Sequence, residues 1–418
     1  MNASNPSRRD FIKTAAIGAG AATFAVHPAH GAPQPIRVGL IGTGRRGAGA
    51  AKDCLDSSEG VTLTAVGDIF PDQLEAGLAK LKTLGDRYQV PEDQCFSGWD
   101  AYKQVLASDI DLVILAAPPG FRPLHLAAAV EAGKHVFMEK PAAVDPAGVR
   151  SIIASGEKAK GKGLAIVAGT QRRHQLPYVE TLKRIHDGAI GDIVAASCYW
   201  VGDYDYYPAV LKQPGWSEME AQIRNWNYFT WLSGDHIVEQ HVHNIDIMNW
   251  ALRAHPVKAL GLGGRQQRTG AEYGHIYDHF AVELEYPGGV RVQSLCRQMK
   301  DTQGRVGEFI VGTKGTSDPR QGINGPTPFK TTEGPNPYVQ EHTDLIASIR
   351  NGAPLNEAKD VAESTMAAII GRMACYTGQE ITWDWAMNES KEDWTPKAYE
   401  FGPIATPPVA MPGVTPLV

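Results

Sequence analysis

The sequence predicts an α/β chain of two domains: a doubly wound parallel-sheet domain that binds a dinucleotide, then an α+β domain on a mainly antiparallel sheet. Three observations predict it. The apolar run Ile36 to Ile41 leads directly into Gly42-Thr43-Gly44-Arg45-Arg46-Gly47 and a helical pattern from Ala48 to Cys54. Apolar runs and helical stretches then alternate as far as Ala168. After a strand pattern at Val194 to Trp200, the patterns from Val257 to Gly312 follow one another without intervening helices, which means an antiparallel sheet. A length of 418 residues suits two domains better than one.

Composition narrows the class. Hydrophobic residues are 43% and charged residues 21%, close to an ordinary globular core. A formal net charge of −6 argues against a general nucleic-acid binder. The five cysteines (Cys54, Cys95, Cys198, Cys296 and Cys375) are scattered, with no CxxC, so neither a disulfide scaffold nor a zinc knuckle is expected. No apolar run reaches the length of a membrane span.

The chain opens Ser7-Arg8-Arg9-Asp10-Phe11-Ile12-Lys13, followed by small apolar residues from Thr14 to Val26 and a small-residue region near Ala29 to Ala32. That is the layout of a signal peptide, and the paired arginines resemble the twin-arginine (Tat) type. Residues 1–32 are read as the leader, with cleavage after Gly31 or Ala32. The reading implies contact with the Tat export machinery and a periplasmic or extracytoplasmic home. The alternative is a basic tail before a buried helix.

Residues 33–162 are read as the dinucleotide domain. Gly42 permits the tight turn, Gly44 lets backbone approach a pyrophosphate, and Gly47 lets helix and strand pack closely. The helix N-terminus then offers free N–H groups to the phosphates. A second strand, Val61 to Val66, ends at Gly67-Asp68. Asp68 lies 21 residues beyond Gly47, where a carboxylate accepts the ribose hydroxyls and repels a 2′-phosphate. This favours NAD over NADP, although Arg45 or Arg46 could meet that phosphate. A third strand, Asp111 to Ala117, runs into Pro118-Pro119-Gly120. A helix follows from Pro123 to Ala132, then the strand His135 to Met138 and Glu139-Lys140-Pro141. Asp145-Pro146 reads as a helix cap.

The order GTGRRG, Asp68, AAPPGFRPLH, MEKP resembles the glucose–fructose oxidoreductase / inositol dehydrogenase (Gfo/Idh/MocA) family, from Ile36 to about Trp385. The resemblance implies a Rossmann domain followed by a domain with a large open sheet whose flat face pairs subunits, hence a homo-oligomer, dimer or tetramer. It places Lys140 beside the nicotinamide and makes the bond to Pro141 cis. Cofactor contacts are then expected from Gly42, Thr43, Gly44, Arg45, Arg46, Gly47, Asp68, Pro118, His125, Glu139, Lys140 and Gln171.

The family's second mark is an acid four residues before a histidine. Gly234 to Asp246 reads as one helix, with Glu239, His243, Asp246 and Trp250 on one face and Val238, Val242, Ile245 and Leu252 beside it. Lys140, His243 and Glu239 are the catalytic candidates: His243 takes a hydroxyl proton, and Glu239 orients it or holds a substrate hydroxyl. The family usually has Asp where this chain has Glu239. His243 could instead be a hydrogen-bonded core residue. His236, Glu239 and His243 have a possible metal spacing, but no fourth ligand is evident and no metal is expected.

Residues 163–390 form the second domain. Leu164 to Ala168 runs into Gly169-Thr170-Gln171-Arg172-Arg173-His174, the stretch that in the family passes the nicotinamide and substrate. Arg173 and Tyr178 join Glu239 and His243 as substrate candidates. The stretch from Trp200 to Ser233 is longer than the family pattern and carries Tyr204, Tyr206, Tyr207, Trp216, Trp226, Tyr228, Phe229 and Trp231. It suits either stacking on sugar rings or a lid or contact loop. The proline-rich tail, residues 391–418, is either an arm on a neighbouring subunit or a disordered end.

The function expected is an exported NAD-dependent oxidoreductase acting on a CH–OH group of a sugar or polyol. One rival is a glycosidase that oxidises its sugar transiently on tightly bound NAD. Another is a sugar-binding protein with a structural dinucleotide. Export also demands cofactor retention: at k_on of about 10⁶ M⁻¹s⁻¹, a day's residence needs a Kd near 10⁻¹¹ M. A covering segment is therefore expected, either residues just after Ala32 or a neighbouring subunit's loop.

Overall fold

The computed structural model describes residues 34–203 and 207–418. Residues 1–32, read above as a leader, and Tyr204 and Tyr206 of the aromatic stretch lie outside the described residues.

The first sheet is built from β1 (Ile36–Ile41), α1 (Arg45–Ser57), β2 (Val61–Asp68), α2 (Pro71–Leu81), β3 (Cys95–Ser97), α3 (Ala101–Ala107), β4 (Leu112–Leu115), α4 (Arg122–Glu131), β5 (His135–Met138), α5 (Pro146–Gly161) and β6 (Ile166–Ala168). Its six strands are parallel, in the order β3-β2-β1-β4-β5-β6. Such strands are covered on both faces and so read as unbroken apolar runs. Leu112 and Ile114 of β4 join the core under α1, while Val113 and Leu115 join the core under α3, α4 and α5. The strand order reverses between β1 and β4, which opens a ligand crevice at their C-terminal ends. Asp145 caps α5 by accepting from Gly148 N at 2.6 Å, with Pro146 in the first turn, as the sequence indicates.

The second domain continues with α6 (Leu176–His186), β7 (Ile193–Gly202), α7 (Glu218–Arg224), α8 (Thr230–Ser233), α9 (His236–Glu239) and α10 (Val242–Leu252). Then come β8 (Lys258–Gly264), β9 (His279–Glu285), β10 (Arg291–Gln298), β11 (Arg305–Gly312), β12 (Thr316–Asp318), β13 (Gly322–Asn324), β14 (Phe329–Lys330), α11 (Pro337–Arg350), α12 (Ala358–Thr377), β15 (Ile381–Thr382) and α13 (Trp383–Asn388). The nine-stranded sheet has the order β14-β13-β12-β11-β7-β10-β9-β8-β15. Its one parallel pair is β7 with β10, and the remaining pairs are antiparallel. The alternating burial along β9 and β10 is that of a sheet with one covered face. Helix α12, buried along nearly its whole length, covers that face, whereas α11 returns to pack Leu345 and Ile346 with α1.

The tail is neither a disordered end nor reaching away: it lies on its own chain. Tyr277 Oη donates to Ala410 O at 2.8 Å, Gly413 N to Thr377 O at 2.9 Å and Met219 N to Gly402 O at 3.1 Å. Apolar side chains within it explain the docking. Trp394, Tyr399 and Ile404 pack into a third core with Phe70 and Phe121 of the first domain and Ile223 of the excursion after β7. Arg372, fully buried, secures the start of the tail through Glu392 at 2.6 Å.

Candidate functional site

One cavity of about 970 Å³ runs along the crevice and collects most of the expected site residues. At one end lies the glycine loop. Gly42 adopts φ +91°, and a Cβ there would sit 2.6 Å from Ala117 N. A Cβ on Gly47 would sit 1.8 Å from Gly42 O, so helix and loop touch only because it is absent. A Cβ on Gly44 would meet nothing within 4 Å: this position faces open cavity. Gly44 also begins α1 with no side-chain cap, leaving the first-turn N–H groups for an anion. Asp68 closes this end. Its Oδ2 accepts Thr43 N at 2.8 Å and its Oδ1 accepts Phe70 N at 3.1 Å, which aims the carboxylate into the cavity. Open glycine backbone and free helix N–H groups that donate to a pyrophosphate, with a fixed carboxylate that accepts from ribose hydroxyls, are the groups a dinucleotide requires.

The other end is assembled from β5, β7 and the turn between α9 and α10. The Lys140–Pro141 bond is cis. Lys140 Nζ donates to Glu239 Oε1 at 2.9 Å and to the Glu239 carbonyl. The single helix expected from Gly234 to Asp246 is in fact two, α9 and α10, broken at Gln240-His241. His243 N bonds Gln240 O at 3.3 Å instead of the carbonyl four residues back, which frees the Glu239 carbonyl for Lys140. Asp235, fully buried at φ 71°, caps the start of α9, accepting His236 N and Tyr277 N with its two oxygens. Glu239 and His243 still share the cavity, and Trp200 of β7 lies against the His243 ring at 5.9 Å between centroids, 21° from parallel. Asp246 does not face this cavity. Glu239 Oε2 and Gln240 Nε2 are buried without protein partners.

Electrostatics sharpen the picture. Burial, reinforced by Lys140, Arg172 and Arg46, holds His243 well below the usual histidine range, so its ring is neutral and can accept a proton. His125, also lining the cavity, is pushed down to about 3 by burial and then by Arg122. Arg46 turns away from the phosphate loop: its Nε donates to Glu139, and Asp53 and Glu341 lie within 3.4 Å of its guanidinium. Arg45 lies 5.6 Å from the centre of the Tyr207 ring.

Gly42, Gly44, Arg45, Arg46, Gly47, Asp68, Pro118, His125, Glu139, Lys140, Gln171, Glu239 and His243 all line the cavity. Three candidates do not. Thr43 is buried beneath the loop, where it holds Asp68. Arg173 grips Asp246 with Nε and Nη2, because that buried carboxylate needs a counter-charge. Tyr178 donates to Glu308 at 3.0 Å inside the second domain. Among the described residues no cluster of His, Cys, Asp or Glu could hold a metal, and His236 packs edge-on against Phe280.

Other lining residues escape a linear reading. Arg122 is buried, spending Nη1 on the carbonyls of Leu115 and Ala117. Trp99, Tyr102 and Tyr338 also face the cavity. Tyr207, Pro208, Val210, Trp216, Ile223, Arg224 and Trp226, from the stretch after β7, line the same cavity. The aromatic content of that stretch was the available signal.

Two family models match the chain: the oxidoreductase family's NAD-binding Rossmann fold over residues 36–166, and the GFO/IDH/MocA C-terminal domain over residues 178–318. Inositol 2-dehydrogenase 3 of Saccharopolyspora erythraea is 29% identical over 67% of this chain and 72% of its own. A glycosyl hydrolase family 109 protein of Streptomyces coelicolor is 32% identical, over 41% of this chain and 34% of its own. The structure of scyllo-inositol dehydrogenase from Lactobacillus casei, with bound NAD(H) and scyllo-inositol, shares the fold at a TM-score of 0.64 and 21% identity, covering 84% of this chain and 99% of that one. With a six-stranded 3-2-1-4-5-6 parallel sheet, a glycine loop that needs its glycines and both family models matched in order, the chain belongs to the Gfo/Idh/MocA family of NAD-binding oxidoreductases.

Proposed function

We propose that the chain oxidises a CH–OH group of an uncharged sugar or polyol, with the alcohol seated between Lys140, His243 and Trp200. The observation that carries this reading is the meeting of a neutral His243 and a Glu239-held Lys140 in the same cavity as the glycine loop. Bound NAD supplies the hydride acceptor. The hydroxyl proton passes to a ring nitrogen of His243 as the C–H bond breaks and C=O forms. Lys140, as ammonium, donates to the oxygen on which negative charge develops. Glu239 holds Lys140 with Oε1 and keeps Oε2 for a neighbouring substrate hydroxyl. The Trp200 ring suits the C–H face of a sugar or cyclitol.

The charge pattern supports an uncharged substrate. Lys140 is matched by Glu239, Arg46 by Glu139, Asp53 and Glu341, and Arg224 by Asp72 and Glu220, while Arg122 serves backbone carbonyls. An acidic sugar or sugar phosphate would have to displace one of these partners. Asp68 favours NAD over NADP, and Arg46 is too committed to meet a 2′-phosphate. We also assign residues 1–32 to twin-arginine export and the outer face of the second sheet, where Leu260, Leu262 and Phe309 are exposed, to pairing with a second copy.

The test is a panel of neutral sugars and cyclitols with their acid and phosphate counterparts, read by nicotinamide absorbance of NAD-saturated protein. Reduction by neutral members alone supports the reading, and reduction only by charged members contradicts it. The match to the family 109 protein favours a second reading, a glycosidase, which aglycone release without accumulating reduced cofactor would select.

A further inference from the structure

The glycine loop and the reaction end explain only part of the cavity wall. The rest comes from two segments distant in sequence, the excursion after β7 and the tail, which meet on the first domain as a core of their own. Arg224 of α7 is the hub. Its guanidinium forms a two-point pair with Asp72, at 2.8 and 3.0 Å, just beyond β2. It lies 3.8 Å from the Phe70 ring centre and 4.8 Å from that of Trp216. Phe401 of the tail stacks on the other partner ring, Phe70, at 5.6 Å and 13°, and tilts against Trp99 at 5.0 Å. The tail is tied to α7 by Met219 N to Gly402 O at 3.1 Å and by Gln222 Nε2 to Thr406 Oγ1 at 3.1 Å.

This assembly stands at a definite place. The dinucleotide's pyrophosphate belongs at Gly42 to Gly47 and a ribose at Asp68, so its adenosine half lies beyond β2 and β3. There the cavity is lined by Phe70, Asp72, Gly98 and Trp99 from one side and by Trp216, Ile223 and Arg224 from the other. Trp99 Nε1 is buried there without a hydrogen-bond partner, a donor that a purine ring nitrogen can satisfy.

We infer that the excursion after β7 and the C-terminal tail form a clamp, hinged on Arg224, Phe70 and Phe401, that encloses the adenosine half of NAD and makes the cofactor a resident group. The clamp belongs to the same chain as the groove, so it acts whatever the state of assembly. It needs NAD in the groove but not the substrate proposed above. To leave, the nucleotide must wait for a packed aromatic core and a two-point ion pair to open. Retention is then set by opening of the clamp, not by the phosphate loop alone.

The experiment uses full-length protein loaded with radiolabelled NAD and chased with excess unlabelled NAD, retained label being read on a filter. No sugar is present, so a chain that turns over nothing can still pass. Wild type is expected to lose label with a half-time of many hours. Arg224→Ala and Phe401→Ser are expected to lose it at least tenfold faster while the nucleotide-free proteins still melt cooperatively. Amide exchange read in parallel on wild type should slow on NAD binding at residues 217–224 and 399–404. Wild-type exchange complete within seconds, folded variants that exchange at the wild-type rate, or no change in amide protection at those segments would each overturn the clamp.

Discussion

The two ends of the cavity are built in opposite ways. The dinucleotide end is local: a loop of six residues and Asp68, all between β1 and the end of β2, with Gly42 and Gly47 required by close backbone approach and Asp68 held by Thr43. The proposed reaction end is convergent: Lys140 after β5, Trp200 of β7 and the Glu239–His243 pair at the α9–α10 junction come from three separate stretches and line one cavity. The candidate cofactor site is therefore written contiguously in this chain, whereas the proposed chemistry depends on tertiary packing.

Substitutions at the two ends should therefore fail differently. Lys140→Ala should lower kcat by about 10²–10⁴-fold with NAD still bound one to one, as nucleotide assay of the denatured protein would show. It also strips a buried carboxylate of its partner, so Lys140→Arg, which keeps the charge, should melt closer to wild type than Lys140→Ala.

Next in size is a change that belongs to neither end. Arg173→Ala leaves Asp246 buried and unpaired, at a cost of about 3–5 kcal/mol in folding stability, measured by denaturant titration. Nucleotide affinity should be unchanged. A large rise in KM with no loss of stability would return Arg173 to the substrate site.

At the local end, Asp68→Ala should narrow the preference for NAD over NADP by about 1–3 kcal/mol, or roughly five- to 150-fold, in competition binding. Turnover of bound nucleotide should change little. An unchanged preference would show that another residue sets it.

A pH slope runs across the whole fold. His125 and His241 sit at about 3 in the folded chain, both by burial, against 6.5 ordinarily. On acidification the unfolded chain takes up protons first. Stability is therefore held above pH 6.5 and lost toward pH 3, at about 1.4 kcal/mol per pH unit for each histidine. His174, raised to about 10 by Asp344 and Glu357 against the cost of burial, works the other way: its contribution is full below pH 6.5 and fades as pH rises through 10. Unfolding titrations from pH 7 to pH 4.5 on wild type and His125→Gln would separate the two.

The same contrast explains what could be read from the sequence. Strand, glycine loop and Asp68 are legible because their geometry requires particular residues at fixed spacings. That Lys140 and His243 line one cavity was legible through the resemblance carried by Glu139-Lys140-Pro141 and the spacing of Glu239 from His243. The helix break between them was not: the apolar and polar periodicity runs straight through it, and Lys140, which takes the freed Glu239 carbonyl, lies 99 residues away in sequence. Arg173 and Tyr178 look like site residues in a line of text. Only the fold shows that Asp246 and Glu308 claim them. The short strands β12 to β15, two or three residues each, carry no periodicity to read.

The central claim is that His243 takes the substrate's proton at an end of the cavity that does not hold the nucleotide. The most direct measurement is single-turnover reduction of bound NAD by a neutral polyol substrate, in wild type and in His243→Asn, both saturated with NAD. The account predicts equal nucleotide stoichiometry in the two proteins and reduction at least a hundredfold slower in the variant, in line with the 10²–10⁴-fold contribution of a positioned base. Reduction at the wild-type rate, or loss of bound NAD in step with the rate, would contradict it.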